Sequence, residues 1–222
     1  MQIEIAYLNF LDLVNQNNTN NNISVDKERF ILLFNFVSNR YVSWILEKRN
    51  EDEIRYIQKL LVKNKPLEFN NSDFQSYEFK LPKDFFDHAN IYATAGNSNC
   101  DSKAINLFEA KSEDVGELLA DEYNKPSFEW AETFYHFSSD TVVVYVDNFK
   151  VKEVKLTYYR YPKKVDIAGY YDEFGNQSTN IDPELDDKAV NVILLAMSKE
   201  FALNNGDASK GQLDSQRLFS PI

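Results

Sequence analysis

The sequence predicts an α+β chain: a helical bundle built from N-terminal helices and a C-terminal helix, a β-rich insertion between them, and an extended C-terminal arm. Three observations carry this reading. Apolar residues recur every three or four positions before Pro66; alternating and β-branched runs dominate from Tyr77 to Tyr161; and helical spacing returns after Asp182-Pro183-Glu184.

In residues 2–14, Ile3, Ala6, Tyr7, Phe10, Leu13 and Val14 fall on one helical face, and the tract NQNNTNNN at 15–22 ends that helix. A second helix is expected from about Val25 to Lys48, where Phe30, Leu33, Phe34, Val37, Tyr41, Trp44 and Ile45 form a stripe. Asp26 or Ser24 supplies its N-cap. A third, over about 51–63, carries Ile54, Ile57, Leu60 and Leu61 and is closed by Pro66, so that 1–65 reads as the N-terminal helical part.

The insertion, 66–166, opens with the alternating SYEFKLP, is punctuated by Gly96-Asn97 and Asn99, and is interrupted by a short helix at SEDVGELLADE, 112–122. TVVVYV at 141–146 is a continuous β-branched run suited to a strand buried on both faces. Asp147-Asn148 permits a turn into 151–161, where Val154, Leu156 and Tyr158 share one face and Lys155, Thr157 and Tyr159 the other. Pro162 cannot donate to a ladder and should end the strand.

Residues 167–205 then hold a polar loop and the C-terminal helix. Asp182-Pro183-Glu184 marks its start, with a capping side chain, a first-turn proline and acids at the positive dipole end. Its centre, VILLAM at 192–197, is apolar nearly all round and implies burial between several neighbours. The arm, 206–222, has no periodicity and ends near an apolar pair, Leu218-Phe219.

With 222 residues, 43% of them hydrophobic, the chain has enough apolar surface for one core, or a core and a smaller module, without disulfides or metals. Acids outnumber bases 35 to 24, a formal charge of −11, so general electrostatics oppose DNA binding unless bases are segregated. The lone Cys100 excludes an internal disulfide and fits a reducing compartment. The N-terminus lacks a signal-peptide pattern and no run reaches membrane-spanning length, so a soluble protein with no membrane partner is expected. Sequons at Asn17, Asn70 and Asn176 follow from an Asn-rich composition.

Chemistry-bearing motifs are sparse. His136, Ser138, Ser139 and Asp140 invite a triad reading, but triad members converge from separate elements, and a strand-edge or turn histidine explains the set better. His88 stands apart. There is no Cys pair, His-x-x-x-His or calcium loop, and no phosphate-cradling glycine pattern. The acidic pairs Glu129/Glu132 and Asp186/Asp187 are expected by chance in so acidic a chain, the second pair serving as first-turn helix acids. No enzymatic activity, catalytic residue, metal or cofactor is expected; an enzyme would need an acid-lined pocket that sequence alone does not display.

The stretch VKEVKLTYYRYPKKVDI, 151–167, has two readings. Tyrosines among Lys152, Lys155, Arg160, Lys163 and Lys164 suit single-strand stacking with phosphate contact, and the same bases suit an acidic protein partner. Strict alternation and the global charge favour a structural strand with a solvated lysine face. Trp44 falls on the helical stripe and reads as core; Trp130 in FEWAETF reads as a core anchor or an interface hot spot.

The order of these parts, with the strand LTYYRYPKKVDI, a polar loop and the helix IDPELDDKAVNVILLAMSKEFAL, resembles the tail-adaptor and ring proteins of short-tailed bacteriophages. The Asn-, Lys-, Ile- and Tyr-rich composition looks most like those of crAss-like phages. The resemblance covers about Tyr77 to Leu203 and carries over Arg160-Tyr161-Pro162 as the strand-to-loop transition and Pro183 to Leu203 as the ring helix. It implies a virion head-to-tail connector, assembled in the host cytoplasm, whose copies form a ring, commonly twelve-fold. The ring is stacked on the portal or an adjacent ring, meets other tail proteins, and passes genomic DNA without sequence-specific binding. Val192, Ile193, Leu195 and Met197, with Leu218 and Phe219, are the candidate subunit or portal contacts. The alternative is a DNA-binding accessory protein using 150–164.

Overall fold

A computed structural model describes residues 1–15, 24–49, 51–97, 100–171 and 174–204. Among these are five α-helices, one 3-10 helix and an eight-stranded curled sheet, an α+β fold. The chain divides into two units, residues 1–60 with 161–222, and residues 61–160.

The first unit is helical. Helix α1 (Ile3–Asn15) buries Ile3, Ala6, Phe10 and Val14, four of the six residues on the expected face. Helix α2 (Lys27–Lys48) buries Phe30, Phe34, Val37, Tyr41 and Ile45 as expected. It also buries Ile31, Ser38, Val42 and Leu46, so its inward face is turned toward the i+1 side of the predicted stripe. That rotation leaves Trp44 half-buried rather than core, stacked on Tyr41 at 6.3 Å with the Lys48 Nζ 4.6 Å from its ring centre. Helix α5 (Asp187–Asn204) packs against α1 and α2. Aromatic rings centre this core: Phe30 lies 5.4 Å from Phe10 and 5.8 Å from Phe34, and Phe201 meets Phe10 edge-on at 6.0 Å.

Two expectations for this region are corrected. The helix predicted over 51–63 is a single turn, α3 (Glu51–Ile54), then the 3-10 helix Arg55–Leu60; Leu61 already opens strand β1 (Leu61–Pro66). Local apolar spacing is overridden there by a long-range ladder, in which Leu61 and Val62 pair with Tyr159 and Tyr158. Pro66 ends a strand, not a helix, and is tolerated because β1 lies at the sheet edge.

The C-terminal helix starts at Asp187, not at Asp182-Pro183-Glu184, because those side chains have tertiary work. Asp182 accepts the Ile3 N–H at 2.8 Å, which satisfies a free donor at the start of α1. Glu184 takes the Lys163 backbone N–H at 3.2 Å and pairs with its Nζ at 3.3 Å. Asp186 provides the cap instead, accepting the Lys188 N–H at 2.9 Å on its side chain and the Val190 N–H at 2.9 Å on its carbonyl.

The second unit is the sheet, with strands β2 (Glu68–Asp73), β3 (Ser76–Lys80), β4 (Phe85–Asn97), β5 (Cys100–Glu109), β6 (Glu132–Ser138), β7 (Thr141–Tyr145) and β8 (Lys150–Arg160). Their order is β1-β8-β4-β5-β6-β7-β3-β2. All neighbours are antiparallel except β5 and β6, and that parallel pair needs the long connection 110–131, which holds the short helix α4 (Val115–Ala120). β7 is interior, so Val142, Val143 and Val144 are buried on both faces as expected. β7 and β8 do not pair with each other: Asp147-Asn148 sends the chain to a separate place in the sheet, between β1 and β4. The core gathers Phe79, Ile91, Ala93, Ile105, Tyr135, Val142, Val144, Val154, Leu156 and Tyr158.

Candidate assembly surfaces

Strand β8 has the expected face, Val154, Leu156 and Tyr158, all buried. Its ladder with β4 shifts between Thr94↔Glu153 and Ala95↔Val151, a bulge whose extra residue on β8 brings Val151 into the same core as Val154. The Tyr158 hydroxyl donates to Asp84 Oδ1 at 2.9 Å and lies 3.5 Å from the Lys65 Nζ. Burial, then the Asp84 hydrogen bond, pushes its pKa up to about 12. Tyr159, on the opposite face, is buried as well, so neither ring offers a stacking surface.

The basic residues of this stretch divide between the units. Lys152, Lys155 and Arg160 belong to the sheet unit, Lys163 and Lys164 to the helical unit. Lys155 holds Glu153 at 3.0 Å, and that carboxylate raises its pKa. Lys152 and Arg160 also have intramolecular partners, Lys163 is bound to Glu184, and Lys164 is exposed.

In the helical unit, Ile193 and Met197 are fully buried in their own core and Val192 is half-buried, whereas Leu195 remains 48% exposed. VILLAM thus contributes one outward apolar side chain, less than its composition suggests. Leu218 and Phe219 lie outside the described residues.

Sequence reasoning missed a larger apolar surface on α2. Leu32 and Phe36 are 66% and 54% exposed, and with Arg29, Leu33 and Phe201 they line a shallow groove of about 290 Å³. Arg29 lies over the Phe201 ring at 4.9 Å and Arg40 over the Phe36 ring at 5.7 Å. Arg40 is held by Glu200 at 3.3 Å. The signal was present: Leu32 and Phe36 are an i, i+4 apolar pair off the main stripe, hence a second apolar face.

The segment after Pro162 is anchored by side chains from α2. Asn35 Nδ2 donates to the Val165 carbonyl at 3.1 Å while its Oδ1 accepts the Val165 N–H at 2.9 Å. Lys27 Nζ donates to the Ala168 carbonyl at 2.6 Å beside Gly169, whose φ of +113° suits glycine and would strain any residue with a Cβ. Asp166 accepts from the Tyr170 hydroxyl at 2.7 Å and the Thr179 N–H at 3.2 Å.

The histidine-serine set is a hairpin turn between β6 and β7. His136 Nδ1 is 3.3 Å from the Tyr145 hydroxyl, with the two rings stacked, and Ser139 takes a left-handed φ of +50° in the turn. Among the described residues no three His, Cys, Asp or Glu side chains are grouped to hold a metal ion, and no helix is long and apolar enough to cross a membrane. Trp130, which sequence left between core anchor and interface, is 79% exposed.

No family model matches the chain, and no curated protein matches it in sequence.

Proposed function

We propose that this chain is a structural virion protein, a subunit of a ring in the head-to-tail connector of a short-tailed phage, stacked on the portal and forming part of the DNA channel. The observation that carries the reading is the apolar outer surface of the helical unit, with Leu32 and Phe36 on α2 and Leu195 on α5 turned to solvent. Ring closure needs two different surfaces on each subunit that meet heterologously. The α2 groove and the Leu195 surface are the two, and the helices form the ring-building bundle, with the sheet unit inserted between them in the order of the chain. The arm 206–222 docks on a neighbour through Leu218 and Phe219. About twelve copies follow from the resemblance of the strand-loop-helix order to connector proteins.

The charge supports the channel role. At −11 per chain a ring repels DNA, and a wall that carries few phosphate contacts lets the genome slide. The burial of Tyr158 and Tyr159 weighs against the accessory DNA-binding alternative, because stacking on successive bases needs exposed rings and the stretch keeps one, Tyr161, 48% exposed.

The double substitution L32E/F36E tests the reading by sedimentation. Both side chains are exposed, so the fold should persist while assembly is lost. Unchanged assembly by the folded variant would remove the α2 surface from the proposal.

A further inference from the structure

Trp130 and Tyr123, two large aromatic side chains of the sheet unit that serve no core, share one cavity. Trp130 is 79% and Tyr123 96% exposed, and both line a cavity of about 610 Å³ between the segment 122–132, Asn97, Phe108 and the 147–148 turn. Four carboxylates, Glu122, Glu129, Glu132 and Asp147, line the same cavity. Against them, among the described lining residues, stands one cation, Lys125, already 3.7 Å from Asp147.

The display is held in place. Ser127 and Glu132 exchange backbone hydrogen bonds of 2.9 and 3.1 Å, the Trp130 N–H donates to Ser127 Oγ at 3.3 Å, and Ala131 takes φ +57° to close the turn. Beneath it Phe128 packs on Phe149 at 6.0 Å and carries the Lys103 ammonium 4.4 Å from its ring centre. The same ammonium donates to the Glu129 carbonyl at 3.2 Å. A turn fixed in this way loses little conformational freedom when a ligand arrives.

We infer that this cavity receives a basic side chain, arginine above lysine, presented by another protein chain. An indole face attracts cations through its quadrupole, most strongly among the aromatic side chains. Carboxylates around it accept the guanidinium N–H groups with charge assistance. Arginine is preferred because its plane stacks on the ring and its weaker hydration lowers the cost of entry. A nucleic acid is repelled by the same carboxylates, and a neutral sugar would desolvate them with no opposite charge in return. The inference does not depend on ring formation.

Calorimetric titration of the full chain tests it with a short, end-blocked peptide containing two arginines and its neutral citrulline twin. The arginine peptide should bind at least tenfold more tightly than the citrulline peptide. W130A and E122Q/E129Q should each weaken it at least tenfold, and W130F less. The exposed acids Glu28 and Glu47 of the helical unit control for general attraction, so E28Q/E47Q should leave binding unchanged. Equal affinity for the citrulline peptide, unchanged binding by W130A, or preferential binding of a neutral oligosaccharide such as maltohexaose would overturn the assignment.

Discussion

Asn35 closes both halves of its amide on the backbone of Val165, donating at 3.1 Å and accepting at 2.9 Å, so one α2 side chain acts as a strand partner for the segment that follows Pro162. The junction that leads into α5 is thereby registered against α2 rather than left to loop entropy. Val165 is itself buried, so water does not readily replace the lost partner.

N35A should therefore lower unfolding stability by about 2 kcal/mol, the usual cost of leaving buried backbone groups unpaired. N35D should do no better, since it keeps the acceptor but sets a carboxylate oxygen against the Val165 carbonyl. Urea unfolding followed by circular dichroism measures both. A loss below about 0.5 kcal/mol, within the range of ordinary surface changes, would show that the clamp is incidental.

Alkaline pH should destabilise the chain through Tyr41 and Tyr158. Burial pushes Tyr41 up to about 12, aided by Glu53, and Tyr158 is also raised to about 12. In the unfolded chain both titrate near about 10. Between these values the native state holds protons that the unfolded state has released, so stability falls as pH rises from roughly 10 to 12. Urea midpoints measured across that range should fall more steeply for the parent than for Y41F/Y158F. Parallel curves would contradict the assignment.

DNA should not be retained. With Tyr158 and Tyr159 buried and Lys155 and Lys163 paired to Glu153 and Glu184, filter binding to single- or double-stranded DNA at about 50 mM salt should give no complex. A salt slope of several released ions would instead favour the accessory DNA-binding role.

Deleting 206–222 should abolish stacking on the portal while leaving the helical unit folded, since the residues that define its aromatic core end at Phe201. Co-sedimentation with portal rings measures this. Undiminished stacking would sink the role given to Leu218 and Phe219.

Local periodicity made much of the fold legible. Val154, Leu156 and Tyr158 alternate on one strand, and Val142 to Val144 form a run that only an interior strand accommodates. What escaped was set by distant partners. The bulge that returns Val151 to the core exists only against β4, and Leu61 leaves the helical pattern because Tyr159 is waiting across a ladder. Asp182 and Glu184 look like a helix start until Ile3 and Lys163 claim them. For the candidate surfaces the difficulty was different. Ile193 and Leu195 are equivalent as letters, yet one is buried and the other half-exposed because α5 presents only part of its circumference to α1 and α2. The exposure of Trp130 depends on the Ser127–Glu132 turn, which no spacing announces.

The ring is the central claim, and particle mass tests it most directly. Native mass spectrometry of the full chain, alone and mixed with the portal ring of the same virus, should give a closed oligomer of about twelve copies, with the matching rotational symmetry in end-on electron micrographs. A chain that stays monomeric across the accessible concentration range and also fails to assemble on the portal would contradict the account.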